Sequence, residues 1–170
     1  LVAYEKEDPS KSKSVTVMNL ETDQEYEVTC KDGECIKPLG FMDGDFVYGV
    51  AKTEEVGTTL SGAQVIPMYK VEITSSKDKV IKTYEQSGIY MLSATFEDNM
   101  ITLDRAVKDG DTYTGTAQDY ITSSEEAKES NIYVQTYKTD LKETQVRLTY
   151  DDGISDKEPK LLKPKQVVLE

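Results

Sequence analysis

An all-β fold follows from three features of the sequence. Apolar and polar residues alternate with period two along much of the chain, helical periodicity is nearly absent, and the runs are separated by short links rich in Gly, Asp, Asn and charge. Eleven Tyr against three Phe and no Trp suit strands with one wet face, because a tyrosine packs its ring while its hydroxyl reaches solvent. With 37% hydrophobic and 31% charged residues the chain is polar, yet too patterned for disorder. At 170 residues it fits one domain, which buries roughly 70% of the surface its unfolded form exposes.

The elements can be taken in order. Leu1 to Tyr4 opens as a strand; Val15 to Leu20 alternates clearly and passes through Glu21 to Gln24 into the β-rich run Glu25 to Cys30. Ile36 to Phe41 leads through Met42-Asp43-Gly44-Asp45 into Phe46 to Ala51, a hairpin whose Asp-Gly pair tolerates the positive φ of a tight turn. Glu54 to Pro67, rich in Gly, Thr and Ser, predicts a flexible excursion. Tyr69 to Thr74 and Val80 to Tyr84 pair across the link Ser75 to Lys79. Tyr90 to Phe96 turns at Glu97-Asp98-Asn99 into Met100 to Leu103, and Thr114 to Ile121 reads as a strand. Ser123 to Ser130 is the one helix-like stretch, with Ser123 and Glu126 spaced as a capping box. Ile132 to Tyr137 and Gln145 to Tyr150 form a hairpin across Thr139 to Thr144, and Leu161 to Leu169 is a last strand.

The order strand, tight turn, strand, variable loop, strand, short turn, strand repeats. It divides the single domain 1–170 into units at 1–34, 35–88 and 89–150, with the start of a further unit at 151–170. Leu1 to Tyr4 is then the second strand of an incomplete first unit, and Leu161 to Leu169 the first strand of an incomplete last one. Second strands begin near Leu1, Phe46 and Met100, about 45 to 55 residues apart, the spacing of propeller blades. On this rhythm, and on turns such as Asp43-Gly44-Asp45, the chain resembles the β-propeller repeats of secreted and envelope-anchored bacterial proteins, including lipoproteins of Gram-positive species. It has neither the Trp-Asp pair of WD repeats nor the Gly-Gly pair of kelch repeats. The resemblance implies antiparallel four-stranded blades, a partial propeller cut from a longer chain, and an extracytoplasmic location. An open or sandwich-like antiparallel sheet is the alternative. Too few quartets are present to close a ring, so exposed edges and homo-oligomerisation through them are expected.

Composition also narrows function. A formal charge of −12 repels phosphate backbones, so nucleic acid is not an expected partner, and Lys157, Lys160, Lys163 and Lys165 read as a solvated terminal face. No apolar run approaches the roughly 20 residues that cross a bilayer, so no membrane insertion is expected of this segment. The absence of His removes the usual general base and the commonest zinc ligand. Ser12-Lys13 and Ser76-Lys77 lack a nucleophile elbow or a Ser-x-x-Lys context. Glycoside hydrolysis needs only two facing carboxylates, but 32 acidic residues single out no pair.

Three groups remain as candidate sites. Asp109-Gly110-Asp111 with Asp119 offers oxygen ligands of the kind calcium prefers, although Tyr113 and Tyr120 stand where an EF-hand needs acids and the plainer reading is a glycine turn before a strand. Cys30 and Cys35 flank the turn-like Lys31-Asp32-Gly33-Glu34; they form either a disulfide worth about 2 kcal/mol or two reduced thiols. Tyr69, Tyr84, Tyr90, Tyr113, Tyr120, Tyr133 and Tyr137 offer an aromatic platform for sugar or peptide, or else strand packing. Gly40 to Asp45 is a hairpin turn, since no helix start follows it to bind an anion. The expected function is a noncatalytic recognition or scaffold module of an extracytoplasmic bacterial protein, with a protein or glycan ligand and no cofactor. The alternative is part of a carboxylate-dependent carbohydrate-active enzyme whose remaining blades or catalytic domain lie outside the segment.

Overall fold

The alternating runs become strands. The computed structural model describes residues 1–8, 10–59, 61–75, 79–97, 99–123, 132–150 and 166–169. In chain order the strands are β1 (Val2–Glu5), β2 (Ser14–Asn19), β3 (Gln24–Thr29), β4 (Glu34–Met42), β5 (Asp45–Lys52), β6 (Gly57–Thr59), β7 (Gln64–Val65) and β8 (Met68–Thr74). They continue as β9 (Val80–Glu85), β10 (Ile89–Glu97), β11 (Met100–Asp109), β12 (Thr112–Gly115), β13 (Asp119–Thr122), β14 (Ile132–Thr139), β15 (Lys142–Tyr150) and β16 (Gln166–Leu169). A single 3-10 turn, Thr53–Glu55, is the one helical element among the described residues. The fold is all-β. Of the helix-like stretch Ser123 to Ser130 only Ser123 lies among the described residues, and the four lysines of the terminal face lie outside them.

Three sheets result. The first has the order β16-β1-β2-β3; the second, ten-stranded and curled like half a barrel, runs β4-β5-β8-β10-β11-β12-β6-β7 with β9 on β8 and β13 on β11; the third is the pair β14-β15. The meander β4-β5-β8-β9 keeps the strand order of the unit 35–88, but the same sheet runs on through β10 and β11, so sheet and unit boundaries differ. Curling is built into the connections. β6 follows β5 after one 3-10 turn, yet it pairs in parallel with β12 on the far side of the sheet.

β5 explains the layering. Its Phe46-Val47-Tyr48-Gly49-Val50-Ala51 is apolar without interruption, the pattern of a strand covered on both faces. Phe46, Tyr48 and Val50 join Ile36 and Phe41 of β4 against Ala3, Val15, Val17 and Val28 of the first sheet. Val47 and Ala51 join Cys35 and Met42 against Met68, Met91, Ile101, Leu103 and Ile121 on the other side. Gly49 is the tight point of this second core: a Cβ there would stand 1.9 Å from Met68 Sδ. In β4 the register shifts between Pro38 and Gly40, and this bulge returns Phe41 to the face Ile36 uses although the two lie an odd number of residues apart. The β4–β5 turn has Asp43 at φ 56° and Gly44 at φ 83°, as its Asp-Gly sequence requires.

Two expectations are corrected. Within Glu54 to Pro67, residues 57–59 and 64–65 are strands rather than a free excursion, held because the Gly57 backbone packs against the Tyr113 ring. Thr114 to Ile121 is not one strand: β12 and β13 pair with opposite ends of β11 and break at residues 116–118, where Thr116 N donates to Arg105 O at 2.8 Å. Among the described residues no helix is long and apolar enough to cross a membrane.

Candidate functional site

The charged link Lys31-Asp32-Gly33-Glu34 turns the chain from β3 into β4, with Gly33 at φ 82°. Together with β8 it lines an open groove of about 210 Å³ bounded by Thr29, Cys30, Lys31, Glu34, Val50, Lys70 and Glu72. Both carboxylates in it are fully engaged. Tyr48 Oη donates to Glu72 Oε2 at 2.8 Å and Lys70 Nζ to Glu72 Oε1 at 2.9 Å. Tyr69 Oη donates to Glu34 Oε1 at 2.8 Å and the Lys31 backbone N to Glu34 Oε2 at 3.0 Å. Each of the four carboxylate oxygens thus has a donor. Burial, and then the Glu34 charge, push the Cys30 thiol up, so it stays protonated at neutral pH and is a poor nucleophile. The groove lining carries both signs of charge, Lys31 and Lys70 beside Glu34 and Glu72.

A second cluster centres on Arg105 of β11. Its Nη1 donates to Gln86 Oε1 at 2.8 Å, Tyr84 Oη at 3.1 Å and Asp119 Oδ2 at 3.2 Å, while Nε donates to Ala117 O at 2.7 Å. Tyr84 Oη donates to Asp119 Oδ2 at 2.7 Å, and this bond chiefly holds the Asp119 carboxyl below its ordinary value. Gln118 Nε2 donates to Asp104 Oδ1 at 2.7 Å and Ser93 Oγ to Asp104 Oδ2, so Asp104 is held low as well. The cluster ties the irregular residues 116–118 to β9, β10, β11 and β13. It is a structural latch.

The residues singled out from sequence are scattered. Asp119 lies opposite Leu103 and Asp109 opposite Thr112, six residues apart along β11 or roughly 20 Å, so the candidate calcium ligands Asp109, Asp111 and Asp119 do not meet. Among the described residues no three His, Cys, Asp or Glu side chains gather as metal ligands would. Cys30 and Cys35 stand as free thiols; Cys30 packs toward the first core, while Cys35 is buried in the second, where burial pushes its thiol up to about 11. The tyrosines form no common platform. Tyr69 and Tyr84 are bound as above, Tyr90 meets the Tyr113 ring edge-on at 5.3 Å with both hydroxyls donating to Glu55, and Tyr120 and Tyr137 are exposed on separate sheets. The side chain of Tyr133 lies outside the described residues.

The hairpin β14–β15 is the third feature. Its register sets Val134 and Val146 on one face. The other face carries Gln135 Oε1, which accepts from Arg147 Nη2 at 2.9 Å and from Arg147 Nε at 3.1 Å, and Tyr137, whose ring lies 5.4 Å from the Arg147 guanidinium. Val134 is 52% exposed, Val146 64% and Leu141, at the turn, 93%. The alternation of this segment was visible in the sequence. That Val134 and Val146 stand exposed was not. Comparison of the chain with protein-family models, with characterised proteins and with solved structures returned no match.

Proposed function

We propose that this chain is a noncatalytic recognition or scaffold module that engages a partner through the β14–β15 hairpin. The exposed apolar face of that hairpin carries the reading: large apolar side chains left in water on a two-stranded element are a feature of surfaces that dock. The rest of the molecule supports it. The groove carboxylates and the Arg105 cluster have internal partners, which is the arrangement of a rigid support and not of a catalytic centre. The four-stranded runs β16-β1-β2-β3 and β4-β5-β8-β9, set face to face across a shared core, support blade-like units within a larger propeller. An extracytoplasmic bacterial setting belongs to the same reading through the strand rhythm it shares with secreted repeat proteins.

Calorimetry against peptides, glycans and cell-wall fragments tests the proposal. Binding that is lost in a Val134→Lys/Val146→Lys double variant and kept in Tyr69→Phe supports it. Binding that survives the double variant but falls in Tyr69→Phe transfers recognition to the groove. Turnover of any of these substrates overturns the noncatalytic reading.

A further inference from the structure

Glu5 ends β1, and the alternation of that strand sends its side chain to the face of Ala3, between the first sheet and β4. It is 1% exposed, and among the described residues neither carboxyl oxygen has a hydrogen-bond partner. The ladder with β2 stops at Tyr4, so the strand partner of Glu5 is Gln166 of β16. Gln166 is itself anchored across the layer, its Nε2 donating to Pro38 O of β4 at 3.2 Å. Ser12 and Lys37 lie close enough to favour the anion, but each gives a proton to a backbone carbonyl, Ser12 Oγ to Ser14 O at 3.0 Å and Lys37 Nζ of β4 to Leu92 O at 3.2 Å. Cys35 of β4 is a protonated thiol, and Asp8, in the link after β1, adds a like charge.

We propose that Glu5 makes the β1–β16 seam a proton-operated clasp: the neutral carboxyl keeps β16 seated on β1, and ionisation raises the population in which β16 has lifted away. A buried carboxylate with no donor is unfavourable, and hydration of Glu5 through loss of its neighbouring strand relieves it. The clasp rests on β1 and β16 alone and is independent of the role given to the β14–β15 hairpin.

Burial pushes the Glu5 carboxyl up to about 7, with Asp8 adding to it and Ser12 and Lys37 opposing. The closed seam therefore prefers the proton. Its stability is complete below the ordinary carboxyl value of 4.5, falls as pH rises toward about 7, and is constant above that. Between about pH 5.5 and about pH 8.5 the open population rises roughly 30-fold.

Amide hydrogen exchange across β1 and β16, corrected for intrinsic rates, reads the clasp. Protection in the wild type falls roughly 30-fold over that pH interval, and Glu5→Gln removes the fall. A wild type with flat protection, or a Glu5→Gln protein that keeps the same fall, overturns the proposal. An NMR titration of the Glu5 carboxyl in the unaltered protein decides it without any variant: a midpoint of about 6 or higher supports the clasp, and a lower one overturns it.

Discussion

β4–β5 and β14–β15 are both hairpins of eight- and nine-residue strands joined by a short polar turn. One has a layer on each face, and the other has neither among the described residues. In β5 every residue from Phe46 to Ala51 is buried, whereas in β14–β15 the described residues are mostly exposed. The difference lies in what alternates. β5 offers apolar groups to both sides, so two cores form on it; β14–β15 offers them to one side and a Gln135–Arg147 cluster to the other. Turn chemistry and β propensity write a hairpin in both places, but a two-stranded ribbon is marginal in water until a face is covered. The comparison separates what local sequence decides from what coverage decides.

The largest expected effect breaks the covered hairpin. Phe46→Ala removes a ring stacked at 5.6 Å on Tyr48 and tilted at 5.5 Å to Phe41, and urea denaturation should show a loss of about 3–5 kcal/mol. A loss under about 1 kcal/mol would mean that β5 is not the shared wall of two cores. An intermediate case sharpens the scale. Tyr84→Phe deletes the hydroxyl that joins Asp119 and Arg105 across partly covered strands, and should cost about 1 kcal/mol near neutral pH. Asp119 has a lowered carboxyl value, so its contribution is present above the ordinary 3.8 and is lost as pH falls below it. Acid titration of the variant should accordingly show a weaker loss below about pH 4 than the wild type does. The smallest effect is Val146→Ala on the exposed hairpin, within about 0.5 kcal/mol of wild type by the same denaturation, with β14–β15 amides exchanging far faster than those of β4–β5 in both proteins.

Much of this architecture could be read in advance, and the part that could not has a common cause. The alternation of Val15 to Leu20 and of Tyr69 to Thr74, and the Asp43-Gly44 turn, are local signals, and strands and turn stand where they point. The unbroken apolar run of β5 also held the two-faced burial, a pattern open to notice from sequence. The bulge at Pro38 and the parallel pairing of β6 with β12 depend on partners far away in the chain, and no window around Thr58 contains Thr112. The sites follow the same division. Asp119 stood out because it follows a glycine turn, but its partner Tyr84 lies 35 residues earlier and turns a candidate ligand into part of a latch. Glu5 gave no signal at all. An acid at the end of a strand is ordinary, and its burial depends on neighbours that include β16, distant in the chain.

The β1–β16 ladder also bears on the order in which the molecule assembles. Val2 pairs with Leu169, a contact that spans nearly all of the 170 residues, whereas β1–β2 and β4–β5 pair through near neighbours. Closing a long loop costs more entropy than closing a short one, and distant pairings slow folding. The short hairpins are therefore expected to form before the β1–β16 ladder closes. Until it does, the strand carrying Glu5 has water on one side, and the chain passes through its assembly with that carboxyl hydrated and free to ionise.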